Sequence, residues 1–340
     1  MRLLIFVLMM LVFAPFFVLA MIGYIFKLWV FNIPKGISGT AYEPFMARMI
    51  MHEAGTRPDE SAVRLAPHLP ALSPFIAWVF GGMGVAARWC GYRGAIFDFP
   101  GTRPSTMYSV VAHRTDFFDR MFAEATDPGG EHLVRQVVVL GAGWDTRVYG
   151  SFEDDGVGDD GGVSDDNVRF FEVDMPPTSE AKRTALARAG ISSDHVTFVE
   201  TDFNQKSWFQ AVTEQGFDPA LPTFILWEGV NMYLDDEAVE ATLRQVAHLA
   251  PGSRIAFDFM SRELVRAEPP FVWLGRGAKF GIKFYGERWL FGISTLAPAR
   301  DHVDRLVTSQ GLELAKFEPM GDDRDGKVPW GGFALAVCRG

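Results

Sequence analysis

Residues 136–147 read Gln136-Val137-Val138-Val139-Leu140-Gly141-Ala142-Gly143-Trp144-Asp145-Thr146-Arg147. The first five residues, four apolar and three β-branched, suit a strand buried on both faces of a parallel sheet. That strand runs into Gly-Ala-Gly, where Gly141 and Gly143 let backbone approach a ligand closely. Asp145 or Thr146 can then cap a following helix. A strand, a glycine turn and a helix start together aim free N–H groups at a bound molecule, as nucleotide-type cofactor sites do.

The same rhythm continues downstream. Val168-Arg169-Phe170-Phe171-Glu172-Val173-Asp174 predicts a second strand, stopped by Pro176-Pro177, with a helix over 179–189. His195-Val196-Thr197-Phe198-Val199 predicts a third, and Pro222-Thr223-Phe224-Ile225-Leu226-Trp227-Glu228 a fourth that ends in acid. A helix over 235–249, a strand over 253–259, a helix near 301–310 and strands over 312–317 and 332–338 follow. Strands alternating with helices in this way predict an α/β fold, a mostly parallel sheet with right-handed crossovers and helices on both faces. Upstream, Pro104 and Ser105 signal a helix over 105–125, and Tyr42, Phe45, Met46, Met49 and Ile50 fall at helical spacing as core packing. Gly81-Gly82-Met83-Gly84 follows no strand and reads as a turn or close packing contact, not a phosphate loop.

The chain has 340 residues, 48% hydrophobic, which is ample for a core. A net charge of −10 excludes nucleic acid as a partner, since that needs a concentrated basic face. Seven of those excess acids lie between Glu153 and Asp166, in a glycine-rich segment (151–167) too poor in apolar residues to order itself. Its carboxylates lack the spacing of a calcium loop, and Cys90 and Cys338 match no zinc spacing, so no metal is expected. Residues 3–26 carry no charge and are flanked by Arg2 and Lys27. A helix of that length covers about 36 Å, enough to span a membrane, and it is too long and too bulky at its end for a signal peptide. Lys27 and Lys35 outnumber Arg2, which places the 37–340 body on the cytoplasmic side of a single-pass anchor.

In an open parallel sheet, ligands sit beyond the carboxyl ends of the strands. The strand ends here deliver Gly141 and Gly143, Asp174, Asp202 with Phe203, and Glu228. Asp174 can accept hydrogen bonds from both hydroxyls of a ribose. Asp202 can take the exocyclic amine of adenine while Phe203 packs on its face, and Glu228 lies at the reacting end. Singly, such acids are most often solvated or capping carboxylates. A nicotinamide dinucleotide would want a third glycine, where this chain has Thr146. S-adenosyl-L-methionine has no phosphate and needs only the first turn.

These residues resemble a known family. Val-Val-Val-Leu-Gly-Ala-Gly-Trp-Asp-Thr-Arg (137–147), Phe-Phe-Glu-Val-Asp-Met-Pro (170–176) with Lys182 behind, Gly-Phe-Asp-Pro-Ala-Leu-Pro-Thr (216–223) and Glu-Gly-Val-Asn-Met-Tyr-Leu (228–234) are similar to the leucine carboxyl methyltransferase family of class I methyltransferases. Ala112-His113-Arg114-Thr115-Asp116-Phe117-Phe118-Asp119 resembles the helix ahead of that family's first strand, and the likeness covers residues 112–259. It implies a Rossmann-like seven-stranded sheet with a reversed last hairpin, and S-adenosyl-L-methionine as methyl donor. By position it implies Arg114 on the methionine carboxylate, Gly141 at the turn, Asp174 on the ribose, Asp202 and Phe203 at adenine, and Glu228 near the methionyl amine. Asp145 in place of the commoner third glycine is itself typical of this family. The apolar N-terminus and the acidic insertion depart from its pattern.

The expected function is a membrane-anchored O-methyltransferase that esterifies a carboxylate of a small molecule or protein C-terminus. Such an acceptor is ionised at neutral pH and needs no general base, whereas a hydroxyl would need one. No catalytic residue is assigned, and His113 reads as packed or on a helix surface. Residues 260–300, rich in aromatics, form a candidate lid over the acceptor. The alternatives are an NAD(P)-dependent oxidoreductase on a related sheet and a non-catalytic binding module.

Overall fold

The computed structural model describes residues 1–150, 168–202 and 206–339. The acidic segment 151–167 and Phe203 lie outside the described residues. Among those described, β1 (Gln136–Leu140), β2 (Arg169–Asp174), β3 (Val196–Glu200), β4 (Thr223–Trp227), β5 (Arg254–Met260), β6 (Leu312–Met320) and β7 (Gly331–Cys338) form one seven-stranded sheet. Its order is β3-β2-β1-β4-β5-β7-β6, parallel except for β7, which runs antiparallel to both β5 and β6. The expected reversed last hairpin is therefore present.

Alternation along each strand explains how both faces are buried. Val137, Val139, Phe170, Phe224, Leu226 and Ala256 enter one apolar cluster. Val138, Leu140, Phe171, Val173, Ile225, Trp227 and Phe257 enter the other. Each such side chain contributes roughly 1.5–3 kcal/mol when fully buried, so the central strands are held from both sides.

The helices in chain order are α1 (Arg2–Lys27), α2 (Tyr42–Glu53), α3 (Glu60–Leu65), α4 (Pro74–Cys90), α5 (Val110–Thr126), α6 (Arg147–Gly150) and α7 (Pro176–Ala189). After them come α8 (Trp208–Glu214), α9 (Asp236–Ala247), α10 (Arg262–Arg266), α11 (Val272–Phe284) and α12 (Ala299–Ser309). The structure differs from the sequence reading in places: α7 starts at Pro176 and not at 179, and β6 runs on to Met320 and not to 317. The glycines at 81–84 lie inside α4 and not in a turn; a Cβ on Gly84 would overlap the Ile50 carbonyl, so close packing on α2 is their role. Helix α5 starts at Val110, later than the proline signal, because Ser105 Oγ accepts from Gly321 N at 3.0 Å and holds that segment against the sheet.

Helix α1 does not stand clear of the body. It lies along α4, with Phe6 stacked on Tyr92 at 4.8 Å, Phe17 edge-on to Phe80 at 5.7 Å and Tyr24 against Tyr42 at 5.9 Å. Ala20, Tyr24 and Leu28 thereby join the same apolar cluster as Val137. Its outer face, including Leu4, Leu11, Val12 and Ile22, is exposed.

One buried ion pair ties α7 to the sheet. Glu172 points into the core from β2, and Lys182 Nζ reaches it at 2.7 Å. Burial pushes the Glu172 carboxyl up to about 7, against the pull of Lys182. An acid raised in the folded state stabilises fully below its ordinary value and loses that contribution as pH rises through the folded one. Lys182→Met removes the cation that offsets this loss. Its stability deficit, read by thermal unfolding, is expected to grow as pH rises from about 6 through about 7 and beyond, where the parent ionises Glu172 and the variant does not; a deficit independent of pH would refute the pairing.

Candidate active site

The chain reverses direction across the sheet between β1 and β4, and a crevice opens there beyond their carboxyl ends. Register fixes what lines it. Leu140 pairs with Val173, Val139 with Leu226, and Asp174 with Glu200, so Gly141, Asp174, Asp202 and Glu228 emerge at one end of the sheet. They border a cavity of about 600 Å³, which also has Arg48, Arg114 and Gly143 in its wall. That volume lies in the ordinary range for a small-molecule pocket.

The glycine turn is built for close approach. Gly141 and Gly143 have φ of +67° and +43°, the left-handed region that side chains rarely enter. A Cβ on Gly141 would overlap Val230 Cγ2. The Asp174 carboxylate clamps the turn, accepting from Gly143 N at 2.6 Å and Met175 N at 2.7 Å. Burial raises the Asp174 pKa, and these two N–H groups oppose the shift. Past the turn, Asp145 Oδ1 accepts from Arg147 N at 2.8 Å, so Asp145 caps α6, a helix of only four residues. Burial works against the Asp145 charge, yet Arg147 and Arg48 hold its pKa below the usual carboxylate range.

Under the cavity lies a network of buried charges. Glu228 Oε2 accepts from Arg147 Nη1 at 2.7 Å, and its Oε1 is 3.2 Å from Arg114 Nε. Arg114 Nη2 is 3.0 Å from Asp258 Oδ2, and Asp258 Oδ1 accepts from Gly229 N at 2.7 Å. Burial raises the Asp258 pKa and Arg114 pulls it back. Arg48 Nη1 lies 3.4 Å from Asp145 Oδ2, Arg147 Nε donates to Asp119 at 2.7 Å, and Arg57 bridges Asp119 and Asp59. The Glu228 Oε1, Arg114 Nε and Arg48 Nε atoms are buried without an aligned hydrogen-bond partner. Buried polar groups left open in this way usually await a ligand or water.

At the rim, Thr40 Oγ1 and Ser38 Oγ donate to the two Glu287 oxygens at 2.6 and 3.1 Å. Tyr233 lines the same side, its hydroxyl pKa pushed up to about 12 chiefly by burial. The candidate lid splits into two parts: Glu287, Arg288 and Leu290 border the cavity, while Trp273 and Phe280 of α11 point away from any packed surface. His113 is elsewhere. It is buried against Phe333, with Nε2 2.9 Å from Glu318 Oε2, and lines a different hollow.

Sequence reasoning missed Arg48, Asp258 and Glu287. Arg48 interrupts an apolar helical stripe, and Asp258 interrupts the apolar run of β5. A lone charge inside an apolar pattern was the available signal, because burial requires a partner.

The leucine carboxyl methyltransferase family profile matches residues 98–247. A protein of Saccharopolyspora erythraea described as a "Putative S-adenosyl-L-methionine-dependent methyltransferase" is 38% identical over 225 residues, 64% of this chain and 67% of that one. The chain belongs to this S-adenosyl-L-methionine-dependent methyltransferase family. A Mycolicibacterium gilvum protein of the same description is 36% identical over 150 residues, 44% of each chain. The chain spans about half the length of the first curated relatives it matches, between 44% and 67%. A crystallised methyltransferase-like protein of Thermobifida fusca aligns over 82% of this chain and 94% of that one, at 16% identity and a TM-score of 0.48.

Proposed function

We propose that this chain is a membrane-attached, S-adenosyl-L-methionine-dependent O-methyltransferase that esterifies a carboxylate. The observation that carries the donor is the capped turn. Where a dinucleotide would set its pyrophosphate, the first helical N–H is already taken by the buried Asp145 carboxylate. A phosphate there would meet a like charge out of water, whereas a sulfonium donor brings none. The ion network adds support. Asp59, Asp119, Asp145, Glu228 and Asp258 face the four guanidiniums Arg48, Arg57, Arg114 and Arg147, one cation short of balance. Glu228 Oε1, ion-paired with Arg114 Nε at 3.2 Å but without an aligned hydrogen bond, suits an ammonium as a further donor.

In this proposal Asp174 holds the ribose hydroxyls, the turn at Gly141 and Gly143 lies along the donor, and Asp202 meets the adenine. Arg114 and Arg48 take the methionyl carboxylate, and Glu228 takes the amine. S-adenosyl-L-methionine supplies a methyl group open to in-line displacement. The chain's own part is orientation and exclusion of water. A carboxylate acceptor fits because it is already ionised: among the described residues no histidine, cysteine or lysine lines the cavity, the Tyr233 hydroxyl is a poor base, and the lining carboxylates, Glu43 and Glu287 among them, are weak ones. Arg288 at the rim offers such an acceptor a cation.

For the membrane, α1 supplies about 36 Å of apolar helix between Arg2 and Lys27. Because α1 lies along α4, its outer face and the exposed Phe75, Trp78, Val85 and Trp89 would enter lipid together.

Calorimetric titration tests the donor: S-adenosylhomocysteine should bind, and binding of NADH alone would overturn the proposal. Asp174→Ala is expected to weaken S-adenosylhomocysteine binding by roughly 1–3 kcal/mol, and an unchanged dissociation constant would remove Asp174 from the site. Release of full-length protein from membranes by alkaline carbonate would count against attachment through α1.

A further inference from the structure

Helix α11 is unusual for a helix of a packed domain. Of its thirteen residues only Gly275 is buried. Trp273 and Phe280, seven residues apart and therefore on one face, are 81% and 79% exposed. Gly277 and Phe284 continue that strip along the helix, and Arg276, Lys279 and Lys283 flank it on one side with no acid anywhere on the helix. Arg276 lies over the Trp273 ring at 5.2 Å. An aromatic strip beside a cationic row is the pattern of a helix that lies in a membrane interface.

Its position agrees. Trp29, just past the end of α1, packs edge-on to Phe284 at 5.4 Å, and Ile33 lies under Gly286. The exposed surface of α1 therefore continues onto the end of α11. Both segments that leave these helices go directly to the cavity rim, where Ser38 and Thr40 bind Glu287. We propose that α11 is a second membrane contact, lying on anionic headgroups beside α1 and holding the cavity mouth at the bilayer surface. A mouth placed there takes its acceptor from the headgroup layer, as an amphipathic molecule with the acceptor oxygen at its polar end. The proposal rests on the membrane attachment argued from α1.

Flotation of the full-length protein tests it, using phosphatidylcholine vesicles and vesicles of equal parts phosphatidylcholine and phosphatidylglycerol. Each cation near an anionic surface is worth about fivefold in binding, so Arg276→Gln/Lys279→Gln/Lys283→Gln should bind the anionic vesicles roughly 100-fold more weakly than the parent. Both should bind the neutral vesicles alike, through α1. Equal binding of parent and triple variant to anionic vesicles overturns the α11 contact. Parental binding to anionic but not neutral vesicles, lost in the variant, keeps α11 and overturns α1 as the anchor. Flotation of neither protein with either vesicle overturns both. Trp273→Ser/Phe280→Ser should weaken binding to both vesicles, and an unchanged S-adenosylhomocysteine dissociation constant shows that each variant is folded. With methyl-labelled donor and total membranes, label should enter solvent-extractable lipid; label confined to the aqueous phase overturns delivery from the headgroup layer.

Discussion

Gly141→Ala is expected to raise the S-adenosylhomocysteine dissociation constant at least about 100-fold, or about 2.7 kcal/mol. Two costs combine. An L side chain at φ +67° carries a strain of about 1–2 kcal/mol. Its Cβ would also overlap Val230 Cγ2, so either the turn or Val230, itself part of the cavity wall, must move. The turn cannot shift freely, because Gly141 N and Ala142 N both donate to the Val173 carbonyl, at 2.8 and 3.1 Å. Gly277→Ala is the control: nothing lies within 4 Å of its Cβ, the site is helical, and donor binding should not change. Calorimetry of both variants decides the matter, and a Gly141→Ala chain that binds as the parent does would show that the ligand sits elsewhere.

Glu228→Ala should act on stability first. It takes the carboxylate from Arg114 Nε, 19% exposed, and from Arg147 Nη1, 2% exposed, which keeps Asp145. Breaking a buried pair from one side costs about 3–5 kcal/mol, which lowers the melting temperature by on the order of 10 °C in a domain of this size. Glu228→Gln keeps the shape and loses the charge, so its loss should be smaller. In both variants the rise in melting temperature on adding S-adenosylhomocysteine should shrink, because the carboxylate charge that faces its amine is gone. Gly141→Ala also lowers the melting temperature of the unliganded chain, through its own strain, and there the ligand shift should be lost altogether. An unchanged melting temperature in Glu228→Ala would mean that the guanidiniums find other partners.

Much of this site was legible along the chain. Strand β1, the glycine turn, Asp174 and Glu228 announce themselves locally: an apolar run ends, and a glycine or an acid stands at the stop. Strand ends in a parallel sheet share one edge, so naming the ends brings their residues to one crevice before any contact is known. The reversed β6–β7 hairpin came from likeness to a family and not from periodicity, which carries no direction.

The sequence by itself determined the alternation of strands and helices, the edge of the sheet at which the cavity opens and the charge-free apolar run at the N-terminus. Only the tertiary structure decided which charges are paired. Arg48, Arg114, Arg147, Glu228 and Asp258 come from five elements or loops spread over more than 200 positions, and none has a partner within its own helical turn or strand pair except Asp145 for Arg147. It also decided that α1 lies on α4 and beside α11. Periodicity records which face of an element is apolar, through the fixed geometry of helix and strand. What that face meets depends on long-range packing, and a buried charge is tolerated only where a distant element delivers its counter-charge.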